Sequence, residues 1–363
     1  MTSRRSRAAG TGGVITLQDV ATAAGVSLAT ASRALHGGTR VVTEPLRLRV
    51  LSAATELGYT SHGPAQALAR ATNPIVGLIV HDIADPYFSA TSIGAMRVAH
   101  TNDLLVLVCN TFRDPSLELD YLARLRAQRA RGVLLVGSGF ADRSYQEALR
   151  TELARFESLG GRVVCMSPHG LESDAVLPDQ QGGGRLVAEH LVGLGHERIG
   201  VVGGPGNLLV NRERLQGFRE RLRAAGLGLP ASRIVKSDFT RDGGRTAALE
   251  LMGRCPDLTA VFAVNDAMAL GVLVALRDDL GRSVPGDVSV VGFDDIALTR
   301  DVRPALTTVH LPLEEIGEHG MRLLLDERRI GIRTIRIPAR LVPRDSSGPA
   351  PSAKTGARRS RSA

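Results

Sequence analysis

The chain has 363 residues, of which 43% are hydrophobic and 23% charged, and this predicts a globular protein of two or three domains. The sequence contains no run of the roughly 18 apolar residues that a membrane span requires and no signal peptide, so we expect a cytoplasmic protein. Three cysteines that never form a CxxC pair disfavour both a disulfide framework and a zinc site.

The net charge of +8 is concentrated at the two ends of the chain. The N-terminal tail carries Arg4, Arg5 and Arg7 without an acidic residue, and the residues after Asp345 carry four further basic side chains. Such tails either increase solubility or contact nucleic-acid phosphates without recognising a sequence, and the pattern favours neither role. The central body is close to neutral, which disfavours a polyanion-binding surface there.

A helix-turn-helix is predicted between Thr16 and Leu35. Thr16 followed by Asp19 is typical of a capping box at the start of the first helix. Gly25 ends that helix, and Ser27 is placed to cap the second. A third helical pattern follows, so the head of the chain is predicted to contain three short helices.

The second helix presents short hydroxyl and apolar side chains outward along its N-terminal half. Side chains of this size let a helix lie deep in the major groove of DNA, where methyl contacts and hydroxyl hydrogen bonds distinguish base edges. The alternative is a plain three-helix cap on an enzyme. The outward-facing residues are Ser27, Leu28, Ala29, Thr30, Ser32 and Arg33.

From Pro74 to about Arg344, short apolar runs alternate with helical patterns. Doubly buried strands that alternate with helices predict parallel sheets built from βαβ units, either one large sheet or two smaller ones. Two sheets would leave a cleft between them, where small ligands tend to bind. The predicted strands are Ile75–Val80, Leu104–Val108, Gly132–Val136, Arg162–Met166, Ile199–Val202, Ala260–Val264 and Val288–Gly292. The clearest helical patterns are Leu117–Arg129, Gly183–Leu194, Arg212–Ala225 and Asp266–Arg277.

Glycine-rich stretches in this region differ from phosphate-binding loops. Gly203-Gly-Pro-Gly206 follows a strand, but Pro205 removes an amide donor and the G-x-G-x-x-G spacing is not met. Gln180-Gln-Gly-Gly-Gly184 is interpreted as the start of a helix. The sequence shows no nucleophile elbow, metal-ligand spacing or paired-carboxylate arrangement, so we expect no enzymatic activity, no cofactor and no metal.

Residues 16–70 resemble the head of the LacI/GalR family of transcriptional regulators. The family pattern T-L-x-D-V-A-x-x-A-G-V-S-x-x-T-V-S-R-x-L-N-G, followed by E-L-G-Y, is matched at almost every fixed position and departs at Ala31 and His36. The resemblance implies that Thr16 and the outward residues of the second helix contact operator DNA. Leu28 and Ala29 occupy the positions that set much of the base preference in the family.

Pro64–Arg70 resembles the hinge helix of the same family. The resemblance implies that Gln66, Ala67 and Leu68 contact DNA, with Leu68 wedged into the minor groove at the centre of a palindromic site. A helix of seven residues is too short to be stable alone, so its folding would depend on DNA. The alternative is that the segment is only a linker.

Residues 74–344 resemble the ligand domain of this family, which is similar to periplasmic sugar-binding proteins. The resemblance is carried by DPYF at Asp85–Phe88, NRERLQGF at Asn211–Phe218, VNDAMALG at Val264–Gly271 and VVGFDDI at Val290–Ile296, in that order.

Carried over by motif, the resemblance implies an effector cleft between two sheets. It implies that aromatic and acidic groups come from the first sheet, that an Arg, an Asn and an Asp come from the second, and that a histidine lies in a segment crossing between them. Aromatic rings that pack on a sugar ring, with polar groups that bond its hydroxyls, suit a polyol. Some of these residues would alternatively form interdomain salt bridges or cap helices at strand ends. The candidates are Asp85, Tyr87, Phe88, Arg214, Asn265, Asp294 and His310.

The predicted fold is therefore α/β: a three-helix helix-turn-helix head, followed by a periplasmic-binding-protein-like effector domain of two parallel-sheet subdomains. The boundaries are a disordered basic tail at 1–13, the DNA-binding head at 14–60, the hinge or linker at 61–73, the effector-binding and dimerisation domain at 74–345, and a disordered basic tail at 346–363. Within the effector domain, one subdomain is predicted at about 74–178 plus 310–328, and the other at 179–309 plus 329–345.

The predicted function is a homodimeric transcriptional repressor that binds a palindromic double-stranded DNA operator. A small-molecule effector, with a sugar as the favoured class, would control it from the cleft. A stand-alone sugar-binding protein is the main alternative, disfavoured by the intact head and by the lack of a signal peptide. An NAD-dependent enzyme is a further alternative, disfavoured because the phosphate fingerprint is missing.

Overall fold

A computed structural model describes residues 15–36, 42–59, 73–327 and 331–351. Contacts divide the chain between Asn73 and Pro74 into two compact units, which are described separately. The predicted hinge residues Gln66, Ala67 and Leu68 lie outside the described residues, as do the N-terminal tail and residues 352–363. Within the described ranges, no helix combines the length and the apolar character that crossing a membrane requires.

The first unit contains the three predicted helices: α1 (Leu17–Ala23), α2 (Leu28–His36) and α3 (Glu44–Glu56). The capping box is formed, because the Thr16 hydroxyl accepts a hydrogen bond from the Asp19 amide and the Asp19 carboxylate accepts one from the Thr16 amide. Ser27 caps α2 by accepting a bond from the Thr30 amide at 3.2 Å. Small apolar side chains form the core and allow the helices to cross closely: Val20, Ala21, Ala24, Ala31, Ala34, Val50, Ala53 and Ala54.

The second unit alternates strands and helices, as its sequence pattern predicts. Its helices are α4 (Pro86–His100), α5 (Pro115–Ala127), α6 (Arg143–Ser158), α7 (Gln180–Gly193), α8 (Leu209–Ala224), α9 (Arg241–Arg254), α10 (Asp266–Val274) and α11 (Leu313–Leu325). Its strands are β1 (Asn73–Val80), β2 (Leu105–Asn110), β3 (Ala130–Leu135), β4 (Arg162–Cys165), β5 (Asp174–Pro178), β6 (Ile199–Gly203), β7 (Ile234–Lys236), β8 (Ala260–Ala263), β9 (Ser289–Val291), β10 (Thr308–His310), β11 (Thr334–Ile337) and β12 (Arg340–Val342).

The strands form two parallel sheets, one for each subdomain. The first has the order β11-β5-β4-β3-β1-β2 and the second the order β7-β6-β8-β9. The ladders β1–β2, β3–β4, β4–β5 and β5–β11 are parallel, and so are those of the second sheet. A separate antiparallel pair joins β10 to β12. The α/β class with parallel sheets is confirmed, and two sheets are present rather than one.

Two predicted boundaries are wrong. The sequence places residues 329–345 in the second subdomain, yet Thr334–Ile337 pair in parallel with β5 of the first sheet. It predicts disorder for residues 346–351, yet Ser346 is fully buried. Its hydroxyl donates to the Val290 carbonyl at 2.6 Å and accepts from the Thr307 amide at 2.8 Å. Polar composition suggested disorder there, but these hydrogen bonds satisfy the buried polar groups.

The helix α11 returns the chain to the first subdomain after the second has been completed. Its apolar face, which includes Ile316, Met321 and Leu324, is buried, and the helix packs against α4 and against strands of the first sheet. The chain therefore crosses between subdomains after β5, through β10, and between β11 and β12.

One buried carboxyl in the first subdomain, that of Glu118, makes the stability of the fold depend on pH. Glu118 of α5 is 2% exposed and accepts a hydrogen bond from the Tyr145 hydroxyl at 2.5 Å. Burial raises the pKa of Glu118 to about 7, although the bond from Tyr145 partly opposes the shift. The folded protein therefore binds this proton more tightly than the unfolded chain does. The contribution of Glu118 to the free energy of unfolding is fully present below the unfolded pKa of about 4.3, and it is lost as the pH rises through 7.

We predict that Glu118→Gln flattens the pH dependence of stability between pH 5 and pH 8. The free energy of unfolding, measured by urea denaturation at several pH values, should fall with rising pH more steeply in the parent than in the variant. Glu147→Gln, which changes an exposed carboxylate on α6, is the matched control and should keep the parent's slope. An unchanged slope in Glu118→Gln would show that this carboxyl does not titrate in that range.

Candidate functional site

A cavity lies between the two subdomains at the carboxyl ends of their strands. His81 follows β1, Ser138 follows β3 and Ser167 follows β4 on the first side, while Asn265 and Asp294 follow β8 and β9 on the second. Ligands of open α/β sheets bind outside the carboxyl ends of the strands. The cavity is lined by His81, Asp85, Tyr87, Phe88, Arg113, Gly137, Ser138, Ser167, Leu208, Val210, Arg214, Phe239, Asn265 and Asp294.

Six of the seven predicted cleft residues line this cavity, and His310 does not. The His310 ring lies 2.8 Å from the Asp295 carboxylate through Nδ1. The other oxygen of that carboxylate accepts from Arg344 at 2.5 Å. His310 thus belongs to a polar cluster beside the crossing strand β10. His310 does lie in the segment that crosses between the subdomains, but its side chain points toward Asp295 and not into the cavity.

Arg214 is the central polar group of the second-subdomain wall. It is 3% exposed, and its guanidinium lies over the Phe293 ring at 3.7 Å from the centroid. Nε donates to Gln180 Oε1 at 2.7 Å, Nη1 donates to the Val264 carbonyl, and Nη2 donates to Asp294 Oδ1 at 2.7 Å. An arginine has five N–H donors, so two remain for a molecule in the cavity.

Asp294 is held in a strained backbone conformation. Its φ is +114° and that of Asp295 is +56°, both in the region that non-glycine residues rarely adopt. The Asp294 amide donates to the Val309 carbonyl of β10 at 2.8 Å, which fixes the turn. Burial raises the pKa of the Asp294 carboxyl to about 7, while the Arg214 cation opposes the shift. Strain of this kind costs about 1–3 kcal/mol and is typical of functional sites.

Asp85 and Asn265 have a structural role as well as a place in the cavity wall. Asp85 caps α4 by accepting from the Tyr87 amide at 3.0 Å, and Asn265 caps α10 by accepting from the Met268 amide at 2.9 Å. Burial raises the pKa of the Asp85 carboxyl, and the hydrogen bond from Tyr87 opposes that shift. The cap on α4 leaves Asp85 Oδ2 as a candidate for a ligand contact, whereas Asn265 Nδ2 already donates one hydrogen bond to the Phe239 carbonyl at 3.3 Å and has one further N–H.

Aromatic rings line the apolar part of the cavity. The rings of Tyr87 and Phe88 meet edge to face at 5.1 Å, and the His81 ring lies 5.7 Å from that of Phe88. Burial lowers the pKa of His81 to about 3, so this imidazole is neutral at physiological pH. Phe239 of the second subdomain faces this wall and lies 5.8 Å from the Arg113 guanidinium, a cation–π contact across the cleft.

Backbone hydrogen bonds close the mouth of the cleft. The Ala141 amide donates to the Asn207 carbonyl at 2.7 Å, and the Leu209 amide donates to the Gly139 carbonyl at 3.0 Å. The Val210 amide also donates to the Ser138 hydroxyl at 2.9 Å. We call residues 138–141 and 207–210 the latch, because they join the two subdomains and three of them, Ser138, Leu208 and Val210, line the cavity.

Several residues of the cavity lie outside the motifs that predict the cleft. His81, Ser138 and Ser167 each come shortly after a predicted strand, so the rule that ligands meet the carboxyl ends of parallel strands would have indicated them. Phe239 follows β7, a strand of three residues that no apolar run predicted. Arg113 lies in a turn with a φ of +62°, for which the sequence carries no signal.

In the first unit, the residues predicted to face DNA lie on one exposed part of α2. Ser27, Leu28 and Ala29 are exposed, and Leu28 is 46% accessible. Thr30, Ser32 and Arg33 are half-buried, and Arg33 Nε donates to the Ala29 carbonyl at 2.9 Å. Thr16 is exposed at the start of α1. The helix therefore presents a small, mostly uncharged surface at its N-terminal end.

Comparison with known proteins agrees with both parts of the structure. Residues 16–62 match the bacterial regulatory proteins of the lacI family, and residues 188–347 match the periplasmic binding protein-like domain. The HTH-type transcriptional repressor PurR of Proteus mirabilis (strain HI4320) is 32% identical to this chain over 340 residues, which cover 93% of this chain and 98% of that protein.

Solved structures show the same arrangement of elements. The transcriptional regulator CelR in complex with cellobiose is 31% identical, with a TM-score of 0.68, and the match covers 92% of this chain and 100% of that one. The Lac repressor dimer bound to operator and the anti-inducer ONPF is 25% identical, with a TM-score of 0.78 and coverage of 93% and 100%.

Proposed function

Because the chain belongs to the lacI family of bacterial regulatory proteins and is a sequence-specific DNA-binding transcriptional regulator, we propose that it is a cytoplasmic repressor whose operator binding is controlled by a small polyhydroxylated effector. The observation that carries the proposal is the cavity between the subdomains, in which the Arg214–Asp294 pair faces aromatic rings. Its relatives are transcriptional regulators, and we propose no catalytic activity for this chain.

The lining of the cavity suits a sugar. Among the described residues, two N–H groups of Arg214 and one carboxylate oxygen of Asp294 have no hydrogen-bond partner, and Phe239 offers a flat apolar face. We propose Asp85, Tyr87, Phe88, Asn265 and Arg113 as further contacts. His310 is left out of this proposal because its side chain bonds Asp295.

The size of the cavity favours a compact ligand. It offers about 50 Å³ to the centres of water molecules. Since one water needs about 10–15 Å³ of such space, the closed cleft has room for roughly three to five waters. A monosaccharide displaces a comparable number, so we propose a monosaccharide or a molecule of that size rather than a longer oligosaccharide.

We propose that two copies of the chain bind one palindromic operator. Exposed apolar side chains on α4 and on the edge strand β2 support a dimer interface: Ile93, Met96, Leu105 and Leu107 are 38–59% accessible. The Lac repressor matched above is likewise a dimer bound to its operator. Sedimentation equilibrium tests this point, and a monomer at micromolar concentration would count against the interface.

We propose that α2 reads the major groove through Ser27, Leu28, Ala29, Thr30, Ser32 and Arg33. Thr16 would contact the DNA backbone beside it, and the segment with Gln66, Ala67 and Leu68 would enter the minor groove at the centre of the operator. Effector binding must then differ in strength between the DNA-bound and free states, because only such a difference couples the two sites.

We predict that Asp294→Asn weakens effector binding on the order of tenfold or more, because one charge-assisted hydrogen bond is lost. Asparagine tolerates a positive φ and keeps an oxygen for Arg214, so the variant should fold, with a lower free energy of unfolding because the buried Arg214 cation loses its counter-charge. A thermal-unfolding screen of monosaccharides first identifies the effector, and calorimetry then compares the variants. Asp279→Asn, at an exposed carboxylate that pairs with Arg245, should bind like the parent. Equal affinity in Asp294→Asn would remove this residue from the site, and the absence of any stabilising sugar would contradict the ligand class.

We predict that Leu28→Gln changes the base preferred at one position of each operator half-site. A direct contact in the major groove discriminates between bases by about 1–3 kcal/mol. Leu48→Gln replaces another exposed leucine of the same unit, on α3, and is the matched control. Selection from a randomised DNA pool, followed by anisotropy titrations, measures the preference. If both variants select the parent operator with the parent affinity, Leu28 does not contact a base.

A further inference from the structure

A second concave surface lies beside the effector cavity on the second subdomain. It is a groove of about 580 Å³ between α8 and the edge strand β7, with the turn at Gly203–Gly206 as its floor. We call it the basic groove, because four exposed cations line it: Arg212, Arg219, Arg223 and Lys236. Glu220 is the one carboxylate in its lining.

These cations lack the partners that most arginines of this protein have. Within the described part of the chain, Arg219, Arg223 and Lys236 make no ion pair within 4.0 Å, whereas the neighbouring Arg185 pairs with Glu220. Glu220 accepts hydrogen bonds from Gln181 at 2.8 Å and from Gln216 at 2.9 Å, and it pairs with Arg185 at 3.7 Å. The four cations and Glu220 give the lining a formal net charge of +3, which favours a ligand with at least two negative charges.

Two of the cations converge on the turn at Gly206. Arg212 Nε donates to the Gly206 carbonyl at 2.8 Å. Lys236 Nζ lies only 3.4 Å from the position that a Cβ on Gly206 would occupy. The glycine-rich turn, which has too few amide donors to hold phosphate by itself, is thus supplied with side-chain cations from α8 and β7. Arginine and lysine together are the groups that bind phosphate most strongly in proteins.

The same turn forms the wall between the basic groove and the effector cavity. A Cβ on Gly204 would lie 2.0 Å from the ring of Phe239, so only glycine allows this ring to pack there. The Gly204 amide donates to Asn211 Oδ1 at 2.9 Å, which ties the turn to α8. The turn continues directly into Asn207–Val210, the second-subdomain half of the latch. A ligand held at Gly206 would therefore act on both the cavity wall and the latch.

We infer that the basic groove binds a small phosphorylated metabolite, and that this ligand stabilises the closed latch. The inference rests on the proposed function, because it assigns a second, anionic regulator to the same effector-controlled cleft. The turn closes one end of the groove, which favours a compact ligand there. The positive charge of the lining favours phosphate or diphosphate groups over neutral sugars. The two sites would be coupled through Gly203–Asn207.

The test uses the full-length protein and inorganic pyrophosphate at constant ionic strength. Calorimetry should show saturable binding, and amide exchange of residues 207–210 should slow when pyrophosphate is added. The double variant Arg219→Gln/Lys236→Gln should weaken binding on the order of tenfold or more, because two charge-assisted contacts are lost. The control Arg282→Gln/Arg340→Gln removes two exposed cations outside the groove and should behave like the parent.

The variant Arg113→Gln separates this inference from the proposed function, because Arg113 is a cation in the lining of the effector cavity and lies outside the basic groove. If pyrophosphate binding survives in the groove variant but is lost in Arg113→Gln, the anion occupies the effector cavity, and the groove inference fails while the cleft remains a ligand site. Equal binding in the parent and the groove variant, or no binding at all, also overturns the inference. Binding of an oligoglutamate peptide without binding of pyrophosphate would assign the groove to an acidic protein instead. Unchanged exchange at 207–210 on pyrophosphate binding would refute the coupling to the latch.

Discussion

A guanidinium buried beside a single carboxylate organises the second subdomain. Arg214 of α8 bonds Gln180 at the start of α7, the carbonyl of Val264 at the end of β8, and Asp294 after β9. Removing one partner of a buried pair leaves the other charge uncompensated, at a cost of about 3–5 kcal/mol. The pair therefore fixes the relative positions of three element ends, and those ends form one wall of the cleft.

The backbone of the cleft is strained at Asp294, the acidic member of this pair. Asp294, which accepts the hydrogen bond from Arg214, has a φ of +114°, and its amide is fixed by β10, the segment that crosses to the first subdomain. A molecule that bonds Asp294 thus acts on a residue whose backbone is already tied to the crossing strand. Together with the latch, this arrangement gives ligand binding a direct mechanical route to the orientation of the two subdomains.

Local sequence patterns predict most helices and strands of the fold, but they do not predict which distant strands pair with each other. The capping box at Thr16 and the apolar strands from Ile75 onward are visible as short-range patterns, and the structure contains them. Thr334–Ile337 and Arg340–Val342 lie two residues apart yet join different sheets, which no local pattern reveals. The family motifs located Arg214 and Asp294, but not Phe239, whose position depends on packing against Gly204.

We propose that the effector controls operator binding by closing the cleft, and a reversible crosslink across the latch tests this mechanism most directly. Ala141 and Asn207 face each other across the latch, because the Ala141 amide donates to the Asn207 carbonyl, and Ala141→Cys with Asn207→Cys would place a thiol on each side. Operator affinity of this double variant, measured by anisotropy without any effector, should differ between the oxidised and reduced forms by about 5- to 150-fold, the usual range of allosteric coupling. The single-cysteine variants should show no such difference. Equal operator affinity of the locked and unlocked forms would contradict the account.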